Sequence, residues 1–219
     1  MFKKILGLIM TAVMVFALAA CGQTPAKNNE STPSSDSNVS SKAPENQPSA
    51  PVNGEQTKPT DGKTLVVYFS WSGSTKKMAS YIADQVGGNL LEIEPKTAYP
   101  TDYNECGDVA KVERDKNTRP EIANLPDSID EYDTILVGYP IWWHTAPMII
   151  GTFLESYDLT GKEVYPFTQS ASMDTEQFNQ SIDFVRKVSK GATVHDGMFA
   201  RPSDTDAIDT YLSKNRLVK

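Results

Sequence analysis

The chain has 219 residues, 39% of them hydrophobic, with two cysteines and a formal net charge of −7. That length supports roughly one folded domain with appended segments. The acidic balance argues against nucleic acid or an anionic lipid surface as partner, and two cysteines exclude a disulfide-stapled scaffold.

Met1–Ala20 reads as an export signal. Lys3 and Lys4 form a charged start, and Ile5–Leu18 is an apolar stretch too short and too poorly flanked for a membrane span. Leu18-Ala19-Ala20-Cys21-Gly22 resembles a bacterial lipobox. The resemblance implies that Cys21 is acylated and becomes the mature N-terminus, each buried methylene contributing roughly 0.8 kcal/mol to a membrane anchor. The alternative is an ordinary secretory signal with an incidental cysteine. Gly22–Lys63 is crowded with Ser, Pro, Asn, Gln, Lys and Glu and has almost no aliphatic residues. It cannot bury enough surface to offset chain entropy, so residues 21–63 are expected to be a disordered tether. Thr64–Lys219 is then the globular domain, with 15 basic and 23 acidic side chains and a net charge of −8.

Within that domain, strand and helix patterns alternate. The first strand is expected at Leu65–Ser70, and a helix follows at Thr75–Val86 with Met78, Ala79, Ile82, Ala83 and Val86 on one face. Gly87-Gly88 ends it. Further strands are expected at Asn89–Glu94, Thr134–Tyr139, Glu163–Thr168 and Thr193–Phe199. Helices are expected from Pro147 to about Ser156, from Asp174 with Phe178, Ile182 and Val185 inward, and from Ser203 or Asp204 with Ile208, Tyr211 and Leu212 inward. Pro95–Asp133 has helical character over Tyr103–Lys116 but no clear path. Five strands joined by helical crossovers predict an α/β fold, a doubly wound five-stranded parallel sheet with helices on both faces. Ligands of such sheets sit at the carboxyl ends of the strands.

Three loops are expected to meet there. Ser70–Thr75 is a hydroxyl-rich turn between strand and helix, which suits a phosphate: the helix N-terminus offers free N–H groups and a positive dipole end. Neither GxxxxGK[ST] nor GxGxxG occurs, so one phosphate held without a metal is expected rather than a nucleoside triphosphate. A capped helix that binds nothing is the plainer reading. The second loop, Gly138–Pro147, places Trp142 beside Trp143 with no core to bury both, which points to a flat ligand. The third, Phe167–Met173, offers small polar contacts or merely caps the next helix.

Together these motifs resemble the flavodoxin-like family, in particular short-chain proteins with a Pro-Ile-Trp-Trp loop. SWSGST is similar to the family's phosphate loop, and the likeness covers nearly all of Thr64–Lys219. It implies flavin mononucleotide (FMN) as cofactor. Ser70, Ser72, Gly73, Ser74 and Thr75 would hold the phosphate, and Pro140, Ile141, Trp142 and Trp143 would line the isoalloxazine ring. Thr168, Gln169 and Ser170 would lie along its other edge and the ribityl chain. Many relatives carry glycines near Thr-Ser-Gly-Gly in the third loop, where this chain has Thr168-Gln169-Ser170-Ala171-Ser172. That removes the closest backbone approach to a ring.

If FMN binds, acidic surroundings and an aromatic face disfavour the anionic reduced ring, as suits an electron carrier serving redox partner proteins or small acceptors. A quinone or flavin reductase on the same fold and a cofactor-free binding module are the alternatives. His144 is a candidate proton donor or hydrogen-bond partner of the ring, or else a solvent-facing loop residue. His195 is expected to be structural, and Cys106 to be a half-exposed structural thiol. Lys76 and Lys77 are expected to be solvated. No metal ligand set is read from the sequence.

Overall fold

The computed structural model describes residues 63–172 and 174–219. The expected signal peptide, the lipidated Cys21 and nearly all of the tether lie outside the described residues, as does Met173 of the third loop.

Strand β1 (Lys63–Tyr68) is an inner strand of the sheet, next to its edge. It pairs in parallel with β2 (Asn89–Glu92) on one side and with β3 (Tyr132–Pro140) on the other. β3 pairs with β4 (Glu163–Gln169), and the order is completed by β5 (Thr193–Val194). Every one of these pairs is parallel, so the connections must cross over a face of the sheet. The crossovers and C-terminus supply α1 (Ser74–Val86), α2 (Tyr103–Lys116), α3 (Met148–Glu155), α4 (Thr175–Val188) and α5 (Thr205–Lys214).

Side chains alternate across β1 and divide the core in two. Leu65, Val67 and Phe69 join Ile135, Val137 and Tyr139 under α3 and α4, where Ile149, Ile150, Phe153 and Val185 are fully buried. Val66 and Tyr68 face the other way, with Leu136 and Phe167, and pack on Met78, Ala79 and Ile82 of α1 and Ile208 and Leu212 of α5. The sheet is thus covered on both faces, which is why its central strands are apolar without a break.

One strand differs from expectation. The run Thr193–Phe199 is not continuous but splits into β5 and a second piece, β6 (Met198–Phe199), which also pairs with β4. Val164 and Thr168 of β4 turn their carbonyls toward this neighbour, accepting from His195 and Ala200. Pro166 lies between them and has no N–H to give, so the ladder breaks there. Two residues of β4, Tyr165 and Pro166, stand against three of the partner, His195, Asp196 and Gly197. His195 stacks on Tyr165 with ring centroids 4.1 Å apart and bonds Glu163, the structural role expected of it.

The unclear stretch also resolves. Residues 93–96 run antiparallel to 121–123, with Lys96 N donating to Glu121 O at 2.8 Å and Ala123 N to Glu94 O at 2.7 Å. Between them α2 occupies Tyr103–Lys116, as its composition suggested. Asp102 caps it, accepting from the N–H groups of Asn104 and Glu105. It buries only Cys106 and Ala110. Among the described residues no helix is long and apolar enough to cross a membrane.

Candidate functional site

The turn after β1 is built around a glycine. Ser70 Oγ accepts from the N–H of Gly73 at 3.1 Å, and Gly73 takes φ 86°, a left-handed value that costs other residues energy. Lys77 N donates back to Gly73 O at 3.0 Å, which closes the first turn of α1. No side chain caps α1 and no acidic residue stands in its first turn. By contrast, aspartates cap α2, α4 and α5. The remaining first-turn N–H groups of α1 thus keep their capacity for an anion, and a Cβ on Gly73 would meet nothing within 4 Å. Ser72 is exposed, Ser74 half-buried and Thr75 buried beneath the turn. Lys76 is solvent-exposed, as expected, and its ammonium is paired at the surface. It bonds Glu92 at 2.7 Å, which also accepts from Tyr68 OH, and this bond raises the lysine's pKa.

The loop after β3 separates its two tryptophans. Trp142 and Thr145 exchange backbone hydrogen bonds of 3.0 Å in both directions, leaving Trp143 and His144 as the two tip residues. Both take positive φ, 49° and 67°, the requirement of a type I′ turn and unusual without glycine. Trp142 turns inward and meets Phe69 and Tyr99 edge-on, at centroid distances of 5.3 and 5.1 Å. Trp143 remains 43% exposed. Its indole N–H donates to Gly107 O of α2 at 2.8 Å, and Arg114 of α2 covers its ring.

In the third loop, Thr168 lies within the sheet and does not line the cavity described below. It is fully buried and its hydroxyl donates to Tyr139 O, because its side chain points into the sheet's packed interior. Gln169 closes the β3–β4 ladder, accepting from Ile141 N at 3.1 Å. Pro140 stands opposite it in that ladder. Ser170 and Ser172 place their hydroxyls 3.3 Å apart at the loop's outer end.

A cavity of about 490 Å³ opens between these loops and α2, within the range of small-molecule sites. From the predicted set it gathers Ile141, Trp142, Trp143, His144 and Ser170. Ser70, Ser72, Gly73, Ser74 and Thr75 lie outside its lining, although their neighbour Trp71 forms part of it. The Trp71 indole N–H donates to Pro100 O at 2.9 Å, and its ring centroid lies 6.3 Å from that of Tyr103. The phosphate-type turn and the aromatic cavity therefore meet at Trp71.

The wall missing from the sequence reading is α2, which contributes Tyr103, Asn104, Cys106, Gly107, Asp108 and Ala110. Cys106 is buried, not half-exposed, although it lines the cavity. Burial, with help from Glu113, pushes its thiol up to about 11, so it is neutral at physiological pH. Behind it Tyr99 OH donates to Glu113 at 2.9 Å; burial raises the pKa of both groups. The signal available in the sequence was a glycine inside a helical stretch, at Gly107. Among the described residues no group of three His, Cys, Asp or Glu side chains is arranged to hold a metal ion.

Comparison with known proteins agrees with this architecture. The family profile described as flavodoxin matches residues 63–214. The chain belongs to the flavodoxin family. Among solved structures, a candidate flavoprotein from Bacteroides eggerthii is 34% identical with a TM-score of 0.63, over 70% of this chain and 98% of that one. A second from Bacteroides uniformis is 33% identical, with a TM-score of 0.63, over 69% of this chain and 98% of that one. A flavoprotein from Lactobacillus acidophilus, solved in complex with FMN, is 30% identical with a TM-score of 0.56, over 66% of this chain and 97% of that one. A search of curated proteins finds no match.

Proposed function

We propose that this flavodoxin-family protein binds FMN and carries electrons outside the cytoplasm, anchored to the cell membrane by lipid on Cys21. The observation that carries the reading is the junction at Trp71, where an uncapped helix N-terminus adjoins a cavity walled by indoles. An FMN phosphate suits the first, and a flat ring suits the second. The residues present fit the cofactor: Ser70, Ser72, Gly73, Ser74 and Thr75 hold the phosphate, while Trp71, Ile141, Trp142, Trp143 and Ser170 flank the ring. The Lactobacillus relative crystallised with FMN supports the same reading.

When bound, FMN supplies the redox chemistry. The chain's own residues tune it. Asp108 on the cavity wall and the surrounding indoles disfavour negative charge on the ring. His144, at the exposed tip of its turn and on the cavity lining, would be the residue to offer the ring a proton or a hydrogen bond. Redox partner proteins or small acceptors would be the recipients of electrons carried by the bound group.

Titration of the purified full chain with FMN tests the cofactor assignment, with a bound yellow chromophore expected and its absence decisive against the reading. Steady-state oxidation of NAD(P)H with quinones separates a carrier from a reductase: a carrier shows almost none without a partner reductase. Cys21→Ser is expected to move the protein from the membrane to the soluble fraction.

A further inference from the structure

Gly107 is a glycine that the fold does not need. Every other described glycine either takes a positive φ or would bring a Cβ to 3.0 Å or less from a neighbouring atom. Gly107 lies in the second turn of α2 without a positive φ, and a Cβ there would meet nothing within 4 Å. Glycine inside a helix is destabilising relative to alanine, so this position gives up stability without relieving a clash. What its missing side chain does is clear part of the cavity wall. The bare backbone is bordered by Tyr103 one turn earlier and by the Trp143 indole, whose N–H is bonded to the Gly107 carbonyl.

We propose that Gly107 is a specificity-determining residue whose exposed backbone lets the flavin ring lie directly against α2. This rests on the FMN reading above and adds a wall to the site that the three loops do not supply. The chemistry of the wall favours the ring over the phosphate. Tyr103, Trp71 and Trp143 offer aromatic surface, and the carboxylate of Asp108 beside Gly107 repels an anion. Contact of this kind requires glycine because even a methyl group would stand between helix and ring.

The test is Gly107→Ala in the full chain, measured without flavin and with FMN. The flavin-free variant is expected to melt at the same temperature as the parent or higher. Its FMN affinity is expected to fall by about tenfold or more, the effect of overfilling a close contact. The visible spectrum of the bound flavin, recorded at saturation, is expected to shift from the parent's. A lower melting temperature of the flavin-free variant would make the glycine structural and overturn the proposal. Unchanged affinity, or weakened affinity with an unchanged spectrum, would overturn it too while leaving the FMN reading intact. Failure of the parent protein to bind FMN would overturn both.

Discussion

Arg114 holds Trp143 through two contacts: its guanidinium carbon lies 5.6 Å from the centroid of the indole, and its Nη1 donates to the Trp143 carbonyl at 3.2 Å. Trp143 and His144 both occupy left-handed backbone, which costs roughly 1–2 kcal/mol per residue without glycine. The turn therefore depends on contacts outside itself, and α2 provides them. Arg114→Ala is expected to destabilise the protein by about 1 kcal/mol, the scale of a partly exposed cation–π contact with one hydrogen bond. It should also shift tryptophan emission to the red as Trp143 loosens, and weaken FMN binding. Arg114→Lys should not restore the parent behaviour, since an ammonium lacks the planar fork that serves ring and carbonyl together. Urea unfolding followed by tryptophan emission checks the first two effects, and unchanged emission in the folded variant would show that the turn holds its own shape.

The adjacent tryptophans are expected to separate stability from binding. Trp142 packs edge-on against Phe69 and Tyr99 at the end of the core, so Trp142→Ala should cost about 3 kcal/mol. Trp143 is 43% exposed and should cost about 1 kcal/mol or less when truncated, yet impair FMN binding more per unit of lost stability. Thermal melts and flavin titrations on the two variants decide this. Equal stability losses would contradict the division of labour.

This division also shows where the sequence stops being legible. The strands could be read because Val66, Val67, Leu136 and Val137 are buried on two faces, and such runs have few other uses. Helix α1 could be read because Met78, Ile82 and Val86 recur at helical spacing over a buried stripe. Two neighbouring tryptophans, by contrast, carry the same chemistry, and only the turn geometry sends one inward and the other onto α2. Helix α2 buries just Cys106 and Ala110, so its periodicity says little about which side faces a cavity. The break between β5 and β6 follows from Pro166 on the neighbouring strand, an effect visible only once the pairing is known. Thr168 came to the expected site only through the family resemblance, and that its hydroxyl donates to Tyr139 O within the sheet could not be read from the sequence.

Glu113 provides a pH test. Burial raises its pKa above the ordinary value of 4.5, against the opposing hydrogen bond from Tyr99. A carboxyl with a raised folded pKa binds protons more tightly in the folded state. Its contribution therefore falls as pH climbs from the unfolded pKa through the folded one, and above that window the buried charge is a standing cost. Glu113→Gln keeps an acceptor for Tyr99 and removes the charge. Its melting temperature relative to the parent is expected to rise as pH increases above 4.5 and then level off. A constant difference between the two proteins across pH 4 to 8 (a range chosen to span roughly the carboxylate window) would show that Glu113 is adequately solvated.

The phosphate turn is tested most directly at Gly73. Asp at this position places a carboxylate where the first-turn N–H groups of α1 lack a side-chain cap, and the space above the glycine is open enough to receive it. The positive φ of 86° adds strain, so a stability loss of roughly 1–2 kcal/mol is expected from backbone alone. Gly73→Asn carries nearly the same shape and the same tolerance of left-handed backbone without the charge. The comparison of the two isolates electrostatics from strain. Both variants should remain folded with similar melting temperatures, Asn retaining measurable FMN binding and Asp abolishing it, because a fixed carboxylate competes for the same N–H donors and repels the incoming phosphate. Riboflavin, which has no phosphate, should bind the two variants alike. If Asp and Asn weaken FMN to the same extent, the loss belongs to the backbone, and the turn after β1 does not hold the phosphate.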